Sequence, residues 1–128
     1  MLNDKTAHTL MATTAELVAQ HKGLLAMDES NQTCNKRFEL LGIAANEENR
    51  RAWRELILTT PTLNKHISGV ILYDETIRQQ TRDGYPFSKV ITEPGILLGI
   101  KVDTGAKEMA GHSGEKITEG LDGLRERI

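Results

Sequence analysis

The sequence predicts an α/β protein built on a parallel sheet, and three observations carry that prediction. Three short apolar runs, 24–27, 67–73 and 96–102, each lead into acids: Asp28-Glu29, Asp74-Glu75 and Asp103. The runs lack polar alternation, as expected of strands covered on both faces. Helical patterns lie between them, and parallel neighbours need such crossovers, which are right-handed. The spacing fits a (β/α)₈ barrel and equally a doubly wound sheet. No G-x-G-x-x-G follows any run, which weakens the dinucleotide-binding form of the latter.

The elements follow in order. Leu10, Met11, Ala15, Leu17 and Val18 recur at roughly helical spacing, and Gly23 is a suitable stop for that helix. The first strand is Leu24-Leu25-Ala26-Met27. A second helix runs from about Thr33, with Phe38, Leu40 and Leu41 expected inward and Gly42 at its end. Asn46 caps a third helix, with Glu47 and Glu48 at the positive end of its dipole. Its expected apolar face is Ala52, Trp53, Leu56 and Ile57. After the second strand comes a helical piece from Glu75 to Gln80, then the turn Asp83-Gly84. Val90 and Ile91 belong to a further helical turn closed by Pro94-Gly95. After the third strand, 104–118 reads as a Gly-rich loop, and a final helical pattern, LDGLRERI, continues to Ile128 without a stop signal. The chain is therefore expected to be an incomplete domain.

Composition narrows the function. A chain of 128 residues is ordinarily one domain. Its 38% hydrophobic and 4% aromatic residues imply an aliphatic core. With 16 Lys+Arg against 18 Asp+Glu it lacks the concentrated positive field that nucleic acids or anionic membranes require. No apolar run approaches a membrane span, and MLNDKTAHTL lacks the pattern of a secretory signal. The single cysteine, Cys34, excludes an internal disulfide and points to a reducing compartment.

Chemistry is expected at the carboxyl ends of the strands. Asp28 there can act as a general base or hold a substrate hydroxyl; the bland alternative is a turn acid. Lys101 sits inside ILLGIKVD. Desolvation there would favour the neutral amine and Schiff-base chemistry. A charged Lys101 would instead bind phosphate, or simply pair with a nearby acid. Ser30 and Thr33, three apart at a helix start, can hold a phosphate, although capping is the commoner use of such residues. Arg37 follows on the same helix, where a solvated position is the ordinary reading. His8, His21, His66 and His112 form no H-x-H or H-x-x-x-H pair, so no metal centre is expected. Cys34 reads as a small buried residue. The run from Glu47 to Glu55, with its arginines, reads as a solvated helix face with pairs such as Glu47–Arg51.

Five segments, GLLAMDESNQTCNKRF, NEENRRAWRELILTTPTL, ISGVILYDET, GIKVDTG and EGLDGLRER, together resemble the class I (Schiff-base) fructose-bisphosphate aldolases. The AMDESN-x-T-C variant is similar to the plastid and cyanobacterial branch. The resemblance implies the first three strands, with their helices, of a (β/α)₈ TIM barrel, so that 1–128 is one incomplete domain. It implies reversible cleavage of fructose 1,6-bisphosphate to dihydroxyacetone phosphate and glyceraldehyde 3-phosphate, without cofactor or metal. By motif, Asp28 matches the family's catalytic aspartate of strand one. Lys101, Ser30, Thr33 and Arg37 match substrate- and phosphate-binding positions. The covalent lysine then lies beyond this chain, and Lys101 is not it. Two departures are Thr104, where the family usually has Lys, and ILYDET, where ILFEET or ILFHET is common. The parent enzyme is expected to be a homo-oligomer, tetrameric in many relatives. It is expected to be cytoplasmic, or stromal if a transit peptide has been removed. A non-catalytic phosphate-binding or interaction module is the rival reading.

Overall fold

The structure, a computed structural model, describes residues 3–127. Met1 and Leu2 of the opening segment, and Ile128 of the final helical pattern, lie outside the described residues. The elements are α1 (Asp4–Leu17), β1 (Gly23–Met27), α2 (Asn31–Leu40), α3 (Glu47–Leu58), β2 (Ile67–Leu72), α4 (Asp74–Ile77), α5 (Phe87–Thr92), β3 (Leu97–Ile100), β4 (Gly105–Glu108), β5 (Lys116–Glu119) and α6 (Leu124–Arg127).

The three apolar runs form one parallel sheet in the order β1-β2-β3. One face carries Met27, Val70 and Leu72, which pack with Leu58 of α3, Phe87 and Ile91 of α5, and Ile96. The expectation of burial on both faces holds for Ser68, Gly69 and Val70 of the central strand and fails for β1. Leu24 is 54% exposed, because β1 is an edge strand with β2 beside it on one side, and cover on this face lies over Gly69 of β2. There Leu17 packs so closely that a Cβ on Gly69 would lie 2.7 Å from the leucine Cδ2. Ser68 donates to the Leu17 carbonyl at 2.6 Å, fixing the end of α1 to β2.

Several boundaries correct the sequence reading. Gly23 does not stop α1; its N–H donates to the His66 carbonyl at 2.9 Å, so it already belongs to the sheet. The left-handed residue of that connection is His21. In α2 the buried pair is Cys34 and Phe38. Leu40, 87% exposed, falls roughly 200° around the helix from Phe38 and therefore points away. Leu41 is the exposed C-cap, and Gly42, at positive φ, ends the helix as expected. In α3 the inward stripe is Arg50, Arg51, Arg54, Ile57 and Leu58, not Ala52, Trp53 and Leu56. It meets carboxylates at one end and the apolar core at the other.

Residues 104–118 are not a loop. Gly105 pairs with Glu119, and Glu108 with Lys116, in an antiparallel hairpin. Thr104 extends the pairing at its base, its N–H donating to the Glu119 carbonyl at 2.9 Å. Gly120, at φ 147, closes the hairpin, and a Cβ there would lie 2.6 Å from Asp103 Cα and from the Val102 carbonyl oxygen.

Candidate active site

Register brings the strand-end residues together. Leu24 aligns with Gly69 and Ala26 with Ile71; Gly69 aligns with Leu97 and Ile71 with Gly99. Side chains alternate faces along each strand. One step beyond the ladders, Asp28, Tyr73 and Lys101 therefore share a face, the one opposite the helix-packed core. The Lys101 N–H donates to the Leu72 carbonyl at 2.9 Å, so the sheet still fixes its backbone there. These residues line an open cleft of about 800 Å³ with Glu29, Ser30, Thr33, Asp74 and Asp103.

Lys101 Nζ donates to Asp103 Oδ2 at 2.6 Å and to Asp28 Oδ2 at 3.4 Å. The Asp103 hydrogen bond, assisted by attraction to both carboxylates and opposed by partial burial, raises the lysine above its ordinary range. The same hydrogen bond holds Asp103 below the usual carboxylate range. The expectation that strand surroundings would favour a neutral amine is thus reversed: two carboxylates outweigh desolvation.

Ser30 caps α2. Its Oγ accepts from the Thr33 N–H at 3.3 Å and lies 3.1 Å from Thr33 Oγ1. Both hydroxyls lie at the cleft, although capping already engages them. Arg37 stands apart from the cleft lining, 58% exposed, and pairs with Glu29. Cys34 is buried, and burial raises its thiol. No group of three or more metal-ligating side chains occurs among the described residues. No helix among them is long and apolar enough to cross a membrane.

Behind the cleft, in place of the solvated face that the sequence pattern predicts, lies a charged layer. Arg54 donates to Glu29 and to Cys34 Sγ. Arg50 grips Glu75 with two hydrogen bonds, at 2.8 and 2.7 Å, while Asn31 donates to the same carboxylate at 2.9 Å. Arg51 pairs with Glu48 and Glu55, not with Glu47. The available signal was the spacing of Arg50, Arg51, Arg54, Ile57 and Leu58, which describes one helix face.

The family model described as Fructose-bisphosphate aldolase class-I matches residues 9–128. A probable fructose-bisphosphate aldolase class 1 of Xanthomonas campestris is 58% identical over 119 residues, 93% of this chain and 36% of that protein. The chloroplastic fructose-bisphosphate aldolase 2 of Pisum sativum is 46% identical over 121 residues, 94% of this chain and 35% of that protein. The bacterial protein is the more similar of the two, so the plastid-like branch is not singled out. The structure of Plasmodium falciparum fructose-bisphosphate aldolase with TRAP and a small molecule inhibitor superposes with a TM-score of 0.93 at 42% identity, covering 98% of this chain and 36% of that one. The chain spans about a third of the length of these relatives. Between the two architectures left open by strand spacing, the superposition selects the N-terminal part of a TIM barrel.

Proposed function

The chain belongs to the class-I fructose-bisphosphate aldolase family, and on that premise we propose that it supplies the first three strands, as one incomplete domain, of an enzyme that reversibly cleaves fructose 1,6-bisphosphate. The products are dihydroxyacetone phosphate and glyceraldehyde 3-phosphate. The observation that carries the reading is the shared face of Asp28 and Lys101 at adjoining strand ends, with Nζ 3.4 Å from Oδ2. A lysine outside these residues condenses with the ketose carbonyl, releasing water and leaving an iminium. A base then takes the proton of the hydroxyl next to the breaking bond. The C–C electron pair passes into the iminium to give an enamine, and the aldehyde departs. Asp28 is the group assigned to that hydroxyl.

Lys101 is assigned to substrate oxygens. An ammonium has three N–H donors, and two are directed at Asp103 and Asp28. The third remains for a ligand. Ser30 and Thr33 are assigned to the phosphate region, where the free N–H groups at the start of α2 favour an anion. Arg37 joins them only by leaving Glu29. Among the charged lining residues Lys101 faces Asp28, Glu29, Asp74 and Asp103. That balance suits sugar hydroxyls better than a bisphosphate, so further cations must come from the rest of the barrel. It also disfavours the rival, a non-catalytic phosphate-binding module.

We place the enzyme in the cytoplasm or a plastid stroma, as a homo-oligomer, without metal or cofactor. The test is a chimera in which this chain replaces the corresponding third of the Xanthomonas relative. A coupled assay should show cleavage that EDTA leaves intact and that borohydride with dihydroxyacetone phosphate abolishes. A folded chimera without turnover, or one rescued by zinc, would refute the reading.

A further inference from the structure

Asp28 and Asp103 compete for one ammonium, and the geometry does not treat them equally. Lys101 Nζ is 2.6 Å from Asp103 Oδ2 and 3.4 Å from Asp28 Oδ2. Asp103 is also the better anchored of the two. Its Oδ1 accepts the Gly105 N–H at 3.0 Å, at the first residue of the hairpin. Its Cα is backed by Gly120, where even a methyl group would collide. Both carboxylate oxygens are therefore occupied, and the backbone behind them cannot retreat.

We propose that Asp103 is a positioning residue that tethers the Lys101 ammonium to the β4–β5 hairpin and so leaves the Asp28 carboxylate available to a substrate hydroxyl. Without Asp103 the ammonium loses the nearer of its two carboxylates and would shift toward the other, Asp28, which alone holds the proton less firmly than the two together. That would cover the oxygen assigned to substrate. The proposal rests on the reading of Asp28 and Lys101 given above. It adds a division of labour: one acid holds the lysine, the other stays free.

The titratable groups of the cleft around Lys101 are Asp28 and Glu29 after β1, Tyr73 and Asp74 after β2, and Asp103 after β3. Of these, Asp28 and Asp103 hydrogen-bond the ammonium. Their effects on it can therefore be separated by single substitutions.

The test uses the 128-residue chain with its lysines isotopically labelled at Cε. It follows Lys101 by NMR titration and by the rate of its acylation with acetic anhydride, with Lys101→Arg as the assignment control. Asp103→Asn should lower the titration midpoint and speed acylation several-fold. Asp28→Asn should change both less, and Asp103→Glu should restore most of the wild-type behaviour. A helix or strand role for Asp103 alone would leave the amine titration where it was. The proposal is overturned if Asp103→Asn leaves Lys101 unchanged, or if Asp28→Asn has the larger effect. Should Asp103→Asn lose its secondary structure by circular dichroism, Asp28→Asn decides. Retention of the raised midpoint supports the tether, and a fall to the value of a solvated lysine overturns it. Aldolase turnover does not enter this measurement, so failure of the enzymatic reading would appear separately, in the chimera.

Discussion

Arg54 holds Glu29 twice, donating from Nη1 to the side-chain Oε2 at 2.6 Å and from Nη2 to the main-chain carbonyl at 3.1 Å. The arginine side chain is 2% exposed. It joins α3 to the turn after β1, where Asp28, Glu29 and Ser30 line the cleft. Burial by itself would raise the Glu29 carboxyl, but the hydrogen bond and charge of Arg54, with help from Arg37, bring it below the ordinary range.

Arg54→Ala should therefore cost about 1–3 kcal/mol of stability, since it removes a buried guanidinium and leaves the Glu29 main-chain carbonyl and Cys34 without that donor, while Arg37 still pairs with the Glu29 carboxylate. Arg54→Met combined with Glu29→Gln should recover part of that loss. Urea denaturation of the single and double variants measures the coupling, and additive losses would show that the pair contributes nothing of its own.

Acid should weaken the protein through Glu75. The hydrogen bonds from Arg50, and next its charge and Asn31, hold this carboxyl below its ordinary value of 4.5. A carboxyl depressed by folding contributes stability above its unfolded pKa, and that contribution is lost as pH falls through the folded value. Stability should thus decline below about pH 4.5. Glu75→Gln should be less stable at pH 7 and show a shallower acid decline. Parallel acid profiles for the two proteins would exclude Glu75 as a source.

The isolated 128-residue chain should neither cleave fructose 1,6-bisphosphate nor be labelled at Lys101 by borohydride with dihydroxyacetone phosphate. Attack on a carbonyl needs a free amine, and two carboxylates keep this one protonated. Peptide mapping after trapping checks it; stoichiometric label on Lys101 would reassign the covalent role. In the active chimera, Asp28→Ala and Lys101→Ala should each lower turnover or substrate affinity. For Asp28 the loss should be on the order of 10²–10⁴ in rate. Wild-type kinetics in either variant would reduce that residue to a strand-end feature.

Gly120→Ala should destabilise the hairpin by about 1–3 kcal/mol, the usual range for a side chain forced into a region that glycine tolerates. The clash with Asp103 Cα adds to it. Faster amide exchange at Thr104 and Lys107 would report the loss. Unchanged exchange would mean that the turn relaxes without strain.

The parallel sheet was legible because a continuous apolar run that stops at an acid is the pattern of a covered strand reaching a polar rim, and the resemblance supplied its place in a barrel. Asp28 and Lys101 were legible by the same route, as polar residues where an apolar run stops. Arg54 was not, because an arginine between glutamates reads as solvated until the carboxylate it meets, Glu29, is located in space. The hairpin was missed because GAKE and KITE offer no buried face to betray a strand. The exposed leucines of α2 were misjudged by counting apolar residues without fixing their angle from Phe38.

The central position of β2 also dictates an order of events during folding. Met27 can find Leu72 only after the chain has bridged α2 and α3, whereas Gly105 meets Glu119 across one short connection. Loop closure makes the first pairing the slower one, although it buries far more apolar surface than the second. Protection from hydrogen exchange should thus develop early and weakly in β4–β5, and late but durably in β2. The hairpin that follows Asp103 is then ordered before β1 meets β2 and, in the finished protein, opens before that pairing does.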